Sequence, residues 1–583
     1  MLAEKHIHRS LMVFGLLLVA SYIHPLHIHP FRTYYHDAAM LLGLLLAFAF
    51  FAIPQKSELS LPAIIWMPLT IVLLILVQLL SGLIEHGWEV LIPLVYLLLA
   101  ALAMVYGASV AATPGGGQKI CLTLAAGLLL AGLLSVVMQN TQFLGLDLSP
   151  VVMYMEHGPK SILRPYANVA QPNQLALLLC MALASVWWLY QQARLPALVA
   201  AALALFLLWG LSLTQSRIGW IIAPAFVGML WPRHQQSRQA RQERAVSKML
   251  LLGLLLAYIG LVLAMPMLAA MVGVDTSSVT EHVGGRSERM VLMQQALQMS
   301  LQHPWFGVGW FGFGSEQVQI AANFTPTTYA EHAHNLMLNF AAELGWPATI
   351  ALAAVLFAWF FSIHRSASRD GNHEHSASLR FASLIFIATL VHSMVEFPLW
   401  YAFVLIPVAV LMGMLHQLYW HTAPVTVARG WIAGTVAVVI AGMAMMTADY
   451  QRVQDGFRAL RWEQAGYSVD EKLLQSPGFT VFPYYFEYFA LMKLKPREGM
   501  SAQEIAFVER MSRRYGFVHV LNTMAEVYVL NGQPKQALRT MITLQRLHPF
   551  SYNAYYDYWK AKGAVDPARY GAVFQYMPPR EAE

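Results

Sequence analysis

Long apolar stretches broken by short polar ones dominate the first three quarters of the chain. Apolar runs of about 17–25 residues predict membrane-spanning helices. Thirteen such runs fall near 11–29, 38–54, 62–83, 88–107, 119–138, 174–192, 195–213, 217–231, 249–272, 335–362, 381–398, 399–419 and 430–447. The first is expected to span rather than to be a cleaved signal, because no small-x-small site follows it. Beyond about residue 448 the pattern changes to shorter amphipathic segments. Residues 516–549 carry Ala525, Tyr528, Gly532, Ala537 and Pro549 at the spacings of one tetratricopeptide unit. An ordinary helical hairpin would look the same.

Charge sharpens this division. Residues 449–583 hold 31 Asp, Glu, Lys and Arg, against 37 over the first 448. The sequence therefore predicts an all-α protein. Residues 1–448 form a polytopic transmembrane body with long loops near 139–173 and 273–334, and residues 449–583 form a helical, tetratricopeptide-like tail. The tail also holds 13 of the 25 tyrosines, clustered at Tyr484–Tyr488 and Tyr552–Tyr558. These suit either a contact surface or packing between helices. A net charge of +6 in so apolar a chain concerns topology rather than nucleic-acid binding. Cys121 and Cys180 each lie inside an apolar run, which excludes a disulfide framework and a cysteine metal site.

Orientation follows the Lys/Arg bias of short loops. Loop 232–248 carries Arg233, Arg238, Arg241, Arg244 and Lys248 against Glu243, and loop 364–380 carries Arg365, Arg369 and Arg380. With thirteen spans both loops are cytoplasmic, and loops 139–173 and 273–334 and the tail lie outside. An even span count would put the tail inside.

Four polar clusters stand where the bilayer makes polar groups costly, which marks them as functional candidates. Glu331-His332-Ala333-His334-Asn335 opens a span, and imidazole suits proton transfer near neutral pH. The two histidines could instead cap a helix or bind a metal, but no further ligand lies at usual spacing. Arg217, in Thr214-Gln215-Ser216-Arg217, suits an anion site or a snorkelling arginine. Arg286 and Arg289, before an amphipathic helix at Met290–Leu301, suit a phosphate-bearing headgroup or a solvated loop. Arg164, Gln171 and Asn173, before the sixth span, offer paired donors and acceptors or turn residues. Imidazole, guanidiniums and amides on one side of the membrane suit group transfer from a phosphate-linked lipid to a hydroxyl.

The ordered set of motifs resembles the O-antigen ligase and bacterial protein O-oligosaccharyltransferase superfamily, and within it the pilin-glycosylating, PglL-like branch. The pieces are Tyr35-His36-Asp37-Ala38-Ala39; Arg164 to Asn173; Ser216-Arg217; Arg289 with Pro304 and Gly307-Val308-Gly309; His334-Asn335 with Glu343-Leu344-Gly345; and His392 to Tyr401. The resemblance implies a GT-C-like membrane fold and a transferase using neither metal nor cofactor. It implies an undecaprenyl-pyrophosphate-linked oligosaccharide donor, a pilin or pilin-like protein acceptor, and a site on the periplasmic side of a bacterial inner membrane. His334 would be the essential histidine, with Arg217 and Arg289 on the pyrophosphate. Gln171 matches an important glutamine, with Asn173 and Asn335 in support and Arg164, Arg286 and Tyr401 completing the substrate-binding set. The branch often has Tyr where this chain has Phe397, so Tyr401 is the candidate replacement. O-antigen ligase acting on lipid A core, a repeat-unit polymerase and, in another class, a transporter or flippase are the rivals. Transporters place ionisable groups near the midplane, in repeats, whereas these lie at the ends of spans.

Overall fold

A computed structural model of the chain describes residues 2–53, 58–85, 87–157, 163–231, 246–273, 288–370 and 373–580. Arg286 and most of loop 232–248 lie outside the described residues. The fold is all-α and polytopic, with one short antiparallel pair among the described residues, β1 (Glu58–Ser60) and β2 (Pro424–Thr426). Eleven described helices are long and apolar enough to cross a membrane. Two more apolar runs are helical but shorter, Ala197–Leu213 and Gly219–Leu230.

The chain divides into two compact units. The first comprises residues 1–70, 95–285 and 355–444. Its helices include α1 (Leu2–Ile23), α2 (Tyr34–Ala52), α4 (Leu91–Ala111), α5 (Gly116–Phe143), α6 (Pro172–Gln191), α7 (Ala197–Leu213), α8 (Gly219–Leu230) and α9 (Lys248–Met271). Helices α1 and α2 form a hairpin, and α5 packs on α1 and α6. Helix α6 is apolar and buried from Leu175 to Ala182 on every side, as a central helix should be. Where α4 crosses Ala402–Tyr419 the backbones nearly touch. A Cβ at Gly107 would lie 2.1 Å from Val410 O, and one at Gly413 1.9 Å from Met104 O. Small residues permit such close crossings of membrane helices.

The second unit comprises residues 71–94, 286–354 and 445–583. Helix α3 (Trp66–Leu80) enters it, followed by α10 (Glu288–Gln302), α11 (Phe313–Ile320) and α12 (Leu336–Leu344). The single span expected near 335–362 is broken. Gly345, at φ +84, ends α12, and α13 (Trp346–Asp370) starts anew. Helices α14 (His373–Ser393) and α15 (Ala402–Tyr419), which belong to the first unit, flank the Pro398 turn.

Helix α16 (Arg429–Gln464) joins the last apolar run to the start of the tail without interruption. The tail continues through α17 (Pro483–Lys493), α18 (Ala502–Arg514), α19 (Val518–Leu530), α20 (Pro534–Leu547) and α21 (Pro549–Val565). Ser501 and Glu504 form a capping box that starts α18. Helices α19 and α20 are a hairpin turning at Gly532, with Ala525 and Ala537 fully buried between them. The tyrosine clusters largely serve packing. Tyr484, Tyr485, Tyr488 and Tyr552 are buried, and Phe457 sits among Tyr485, Tyr488 and Phe489.

Candidate active site

In the first unit, the polar residues ahead of α6 and α8 form one network. Gln171 caps α6: its Oε1 accepts from Gln174 N at 2.7 Å, and Pro172 occupies the first turn, where no donor is needed. Asn173 Oδ1 accepts from Ser216 Oγ at 2.8 Å and from Arg164 Nη2 at 3.2 Å. Its Nδ2 donates to Glu396 Oε1 at 2.8 Å. Arg164 Nε donates to Thr214 O at 3.1 Å. Three distant segments, around residues 164–173, 214–217 and 396, are thus locked together. Arg217 follows directly and is exposed at the start of α8.

The Glu396–Tyr401 stretch is held from α2. Asp37 Oδ1 accepts from Ala402 N at 2.6 Å, supplying the cap for α15 that Tyr401 does not. Thr33 Oγ1 donates to the other Asp37 oxygen at 3.0 Å. Tyr401 stacks on Phe397 at 5.7 Å and on Phe403 at 5.3 Å. Its ring therefore stands beside the position where the expected phenol is missing.

In the second unit, Asn335 caps α12 by accepting from Leu338 N at 3.0 Å. His334 precedes it, with Nδ1 3.3 Å from His332 O and its ring centroid 4.8 Å from that of His332. Burial, and then the neighbouring His334, hold the His332 imidazole well below its ordinary pKa. Helix α10 packs under this turn: Leu292, Ala296 and Met299 cluster with Ala333, Leu338 and Ala342. Arg289 lies one turn earlier on that same stripe, at i−3 from Leu292.

The motifs around 304–309 and 343–345 turn out to be one contact. Val308 N donates to Ala342 O at 2.8 Å, and Trp346 N to Pro304 O at 2.9 Å. A Cβ at Gly307 would meet Glu343 C at 2.3 Å, and one at Gly345 would meet Trp305 O at 2.4 Å. Buried Gln78 locks the pair, donating to Phe306 O and Glu343 O and accepting from Trp310 N.

Non-glycine residues with positive φ concentrate at the same places. Ala170 (φ 60) precedes Gln171, Gln215 (φ 49) precedes Ser216-Arg217, and His334 itself stands at φ 54. Such backbone costs energy and is retained where surroundings over-determine it, often at functional sites.

Residues 202–353 match the family described as O-antigen ligase, and residues 381–560 match virulence factor membrane-bound polymerase, C-terminal. A general O-oligosaccharyltransferase of Acinetobacter baylyi (strain ATCC 33305 / BD413 / ADP1) is 25% identical over 561 residues, 93% of each chain. The chain is thus similar in two segments to these family models, and along almost its whole length to a protein named for general O-oligosaccharide transfer. A ComP-specific O-oligosaccharyltransferase of the same strain is 23% identical over 255 residues, 43% of this chain and 44% of that one.

Of the candidate residues, Arg164, Gln171, Asn173, Arg217 and Tyr401 belong to the first unit, and Arg289, His334 and Asn335 to the second. Sequence reasoning singled out neither Glu396 nor Asp37 as site members, although both stand inside the quoted motifs. Gln78 and Arg514 carried no signal, since each acts through partners more than 180 residues away.

Proposed function

We propose that the protein transfers a preassembled oligosaccharide from undecaprenyl pyrophosphate to a Ser or Thr hydroxyl of a protein, a type IV pilin or pilin-like acceptor. The transfer takes place at the periplasmic face of a bacterial inner membrane. The observation that carries the reading is likeness along almost the whole chain to a protein named for general O-oligosaccharide transfer.

The chemistry is a direct displacement. His334 takes the proton of the acceptor hydroxyl as its oxygen bonds to C1 of the donor's first sugar. The bond from C1 to the phosphate oxygen breaks, and undecaprenyl pyrophosphate leaves with the electron pair. Arg217 and Arg289 bind the pyrophosphate and balance the charge that grows on it. Gln171, Arg164, Arg286 and Tyr401 complete the substrate-binding set. Asn173 and Asn335 fix the Ser216-Arg217 and His334 segments, a role that their hydrogen bonds support.

The test is reconstitution of purified protein with an undecaprenyl-pyrophosphate oligosaccharide, a pilin and, in parallel, lipid A core, scored by intact mass. Glycan on the pilin, lost with His334→Ala, is the expected result. Glycan on lipid A core alone would make the protein an O-antigen ligase.

A further inference from the structure

The loop that carries His332 and His334 is fastened to the tail within the second unit, and the fastening is built around Arg514, the last residue of α18. Its Nε donates to both oxygens of Glu89, at 2.6 and 2.7 Å, and its Nη1 donates to Glu331 Oε1 at 2.9 Å. The Arg514 and Glu89 side chains are only 11% and 8% exposed, whereas Glu331 is 48% exposed. One guanidinium therefore joins a buried carboxylate to a half-exposed one, a geometry that its planar fork allows.

The attachment is repeated along the loop. Thr327 N donates to Arg546 O at 2.7 Å, and Tyr329 N to Leu547 O at 3.2 Å. Tyr329 Oη donates to Arg514 O at 3.0 Å, and its ring meets Phe517 edge-on at 5.7 Å. The fit leaves no slack: a Cβ at Gly516 would stand 2.7 Å from the Tyr329 ring. His548 closes the arrangement, with Nε2 2.6 Å from Gly516 O. Residues 327, 329 and 331 are thus each tied to the tail. His332 and His334 follow at once.

We propose that Arg514 is a positioning residue for glycan transfer: through Glu331 it holds the histidine loop against the tail, with Glu89 fixing the guanidinium. The inference rests on the reading of His334 given above, and it deepens it. The tail is then part of the machinery that sets the histidine, besides any part in meeting the acceptor.

Replacing Arg514 itself would leave Glu89 buried without its partner, and such variants often fail to fold. The test therefore uses Glu331→Ala and Tyr329→Phe, which spare the buried pair. In the reconstituted assay kcat should fall about ten- to a hundredfold for Glu331→Ala and less for Tyr329→Phe. KM for the donor and for the protein acceptor should stay close to wild type, because only the transition-state arrangement is lost. Hydrogen exchange supplies the independent readout. Amides of residues 327–335 should exchange faster in Glu331→Ala, while α19 and α20 keep their protection. An unchanged kcat, a rise in acceptor KM alone, or loosened exchange throughout the tail would each overturn the proposal. His334→Ala run alongside separates the two ideas. If it transfers glycan normally, the reading of His334 fails, while the exchange result still decides whether the loop is held.

Discussion

Asn173 and Glu396 are joined by a 2.8 Å hydrogen bond across 223 residues of sequence. The same Asn173 accepts from Ser216 and Arg164, so its amide is the node on which three segments of the first unit meet. A donor and an acceptor are both needed there, and an amide is the small side chain that offers both.

Asn173→Asp should therefore be worse than its size suggests. It places a carboxylate against the Glu396 carboxylate and removes the donor between them. We expect destabilisation of about 1–3 kcal/mol and loss of transfer. Asn173→Asp/Glu396→Gln should recover part of the stability, since the pair can again share a hydrogen. Thermal melts of the four proteins in detergent form the cycle, and simple additivity would show that the two residues do not couple.

His334 combines an imidazole with a left-handed backbone, and the two can be separated. His334→Gly and His334→Asn suit φ 54 at little backbone cost but lack the base. Both should fold as well as wild type and lose transfer by at least about a hundredfold. Activity in either one would place the requirement on the backbone rather than on the ring.

Arg217→Lys should cost about a hundredfold in kcat, because an ammonium cannot reproduce two parallel hydrogen bonds to a pyrophosphate. Melting should move little, since the side chain is exposed. A single-turnover assay with saturating acceptor measures the effect, and a normal rate would remove Arg217 from the transfer step.

His332 gives the protein a calculable response to acid. Its folded pKa lies below its ordinary value, so between about pH 6.5 and the lower folded value the unfolded chain binds a proton that the folded chain refuses. The folded state therefore loses stability as pH falls below about 6.5 and is unaffected above it. His332→Gln should flatten that part of a plot of Tm against pH between 7.5 and 5. An identical slope in the variant would place the acid sensitivity elsewhere.

Gly345→Ala tests the joint between α12 and α13. The added Cβ needs φ +84 and meets Trp305 O at 2.4 Å. With ψ at 164 this is a backbone region that essentially only glycine occupies; it costs a residue with a Cβ about 1–3 kcal/mol, and the clash adds to it. Tm should fall and transfer should weaken through displacement of α12, whose first turn follows His334 directly. A melt indistinguishable from wild type would show that the joint relaxes freely.

The sequence by itself determined the fold class and the place of most apolar runs, because burial in lipid or in a helical core imposes length and periodicity on contiguous residues. It also located the polar clusters at the ends of those runs, where a charged or amide side chain has a cost that shows in composition. The break at Gly345 was not legible, since an apolar run looks the same whether or not a helix restarts within it. Nor were the jobs of Glu396, Gln78 and Arg514, or the use of Tyr484, Tyr485 and Tyr488 as packing. Each depends on a partner far away in the chain. Only tertiary structure decides which distant groups come within hydrogen-bond range, because that follows from how helices pack rather than from any local preference.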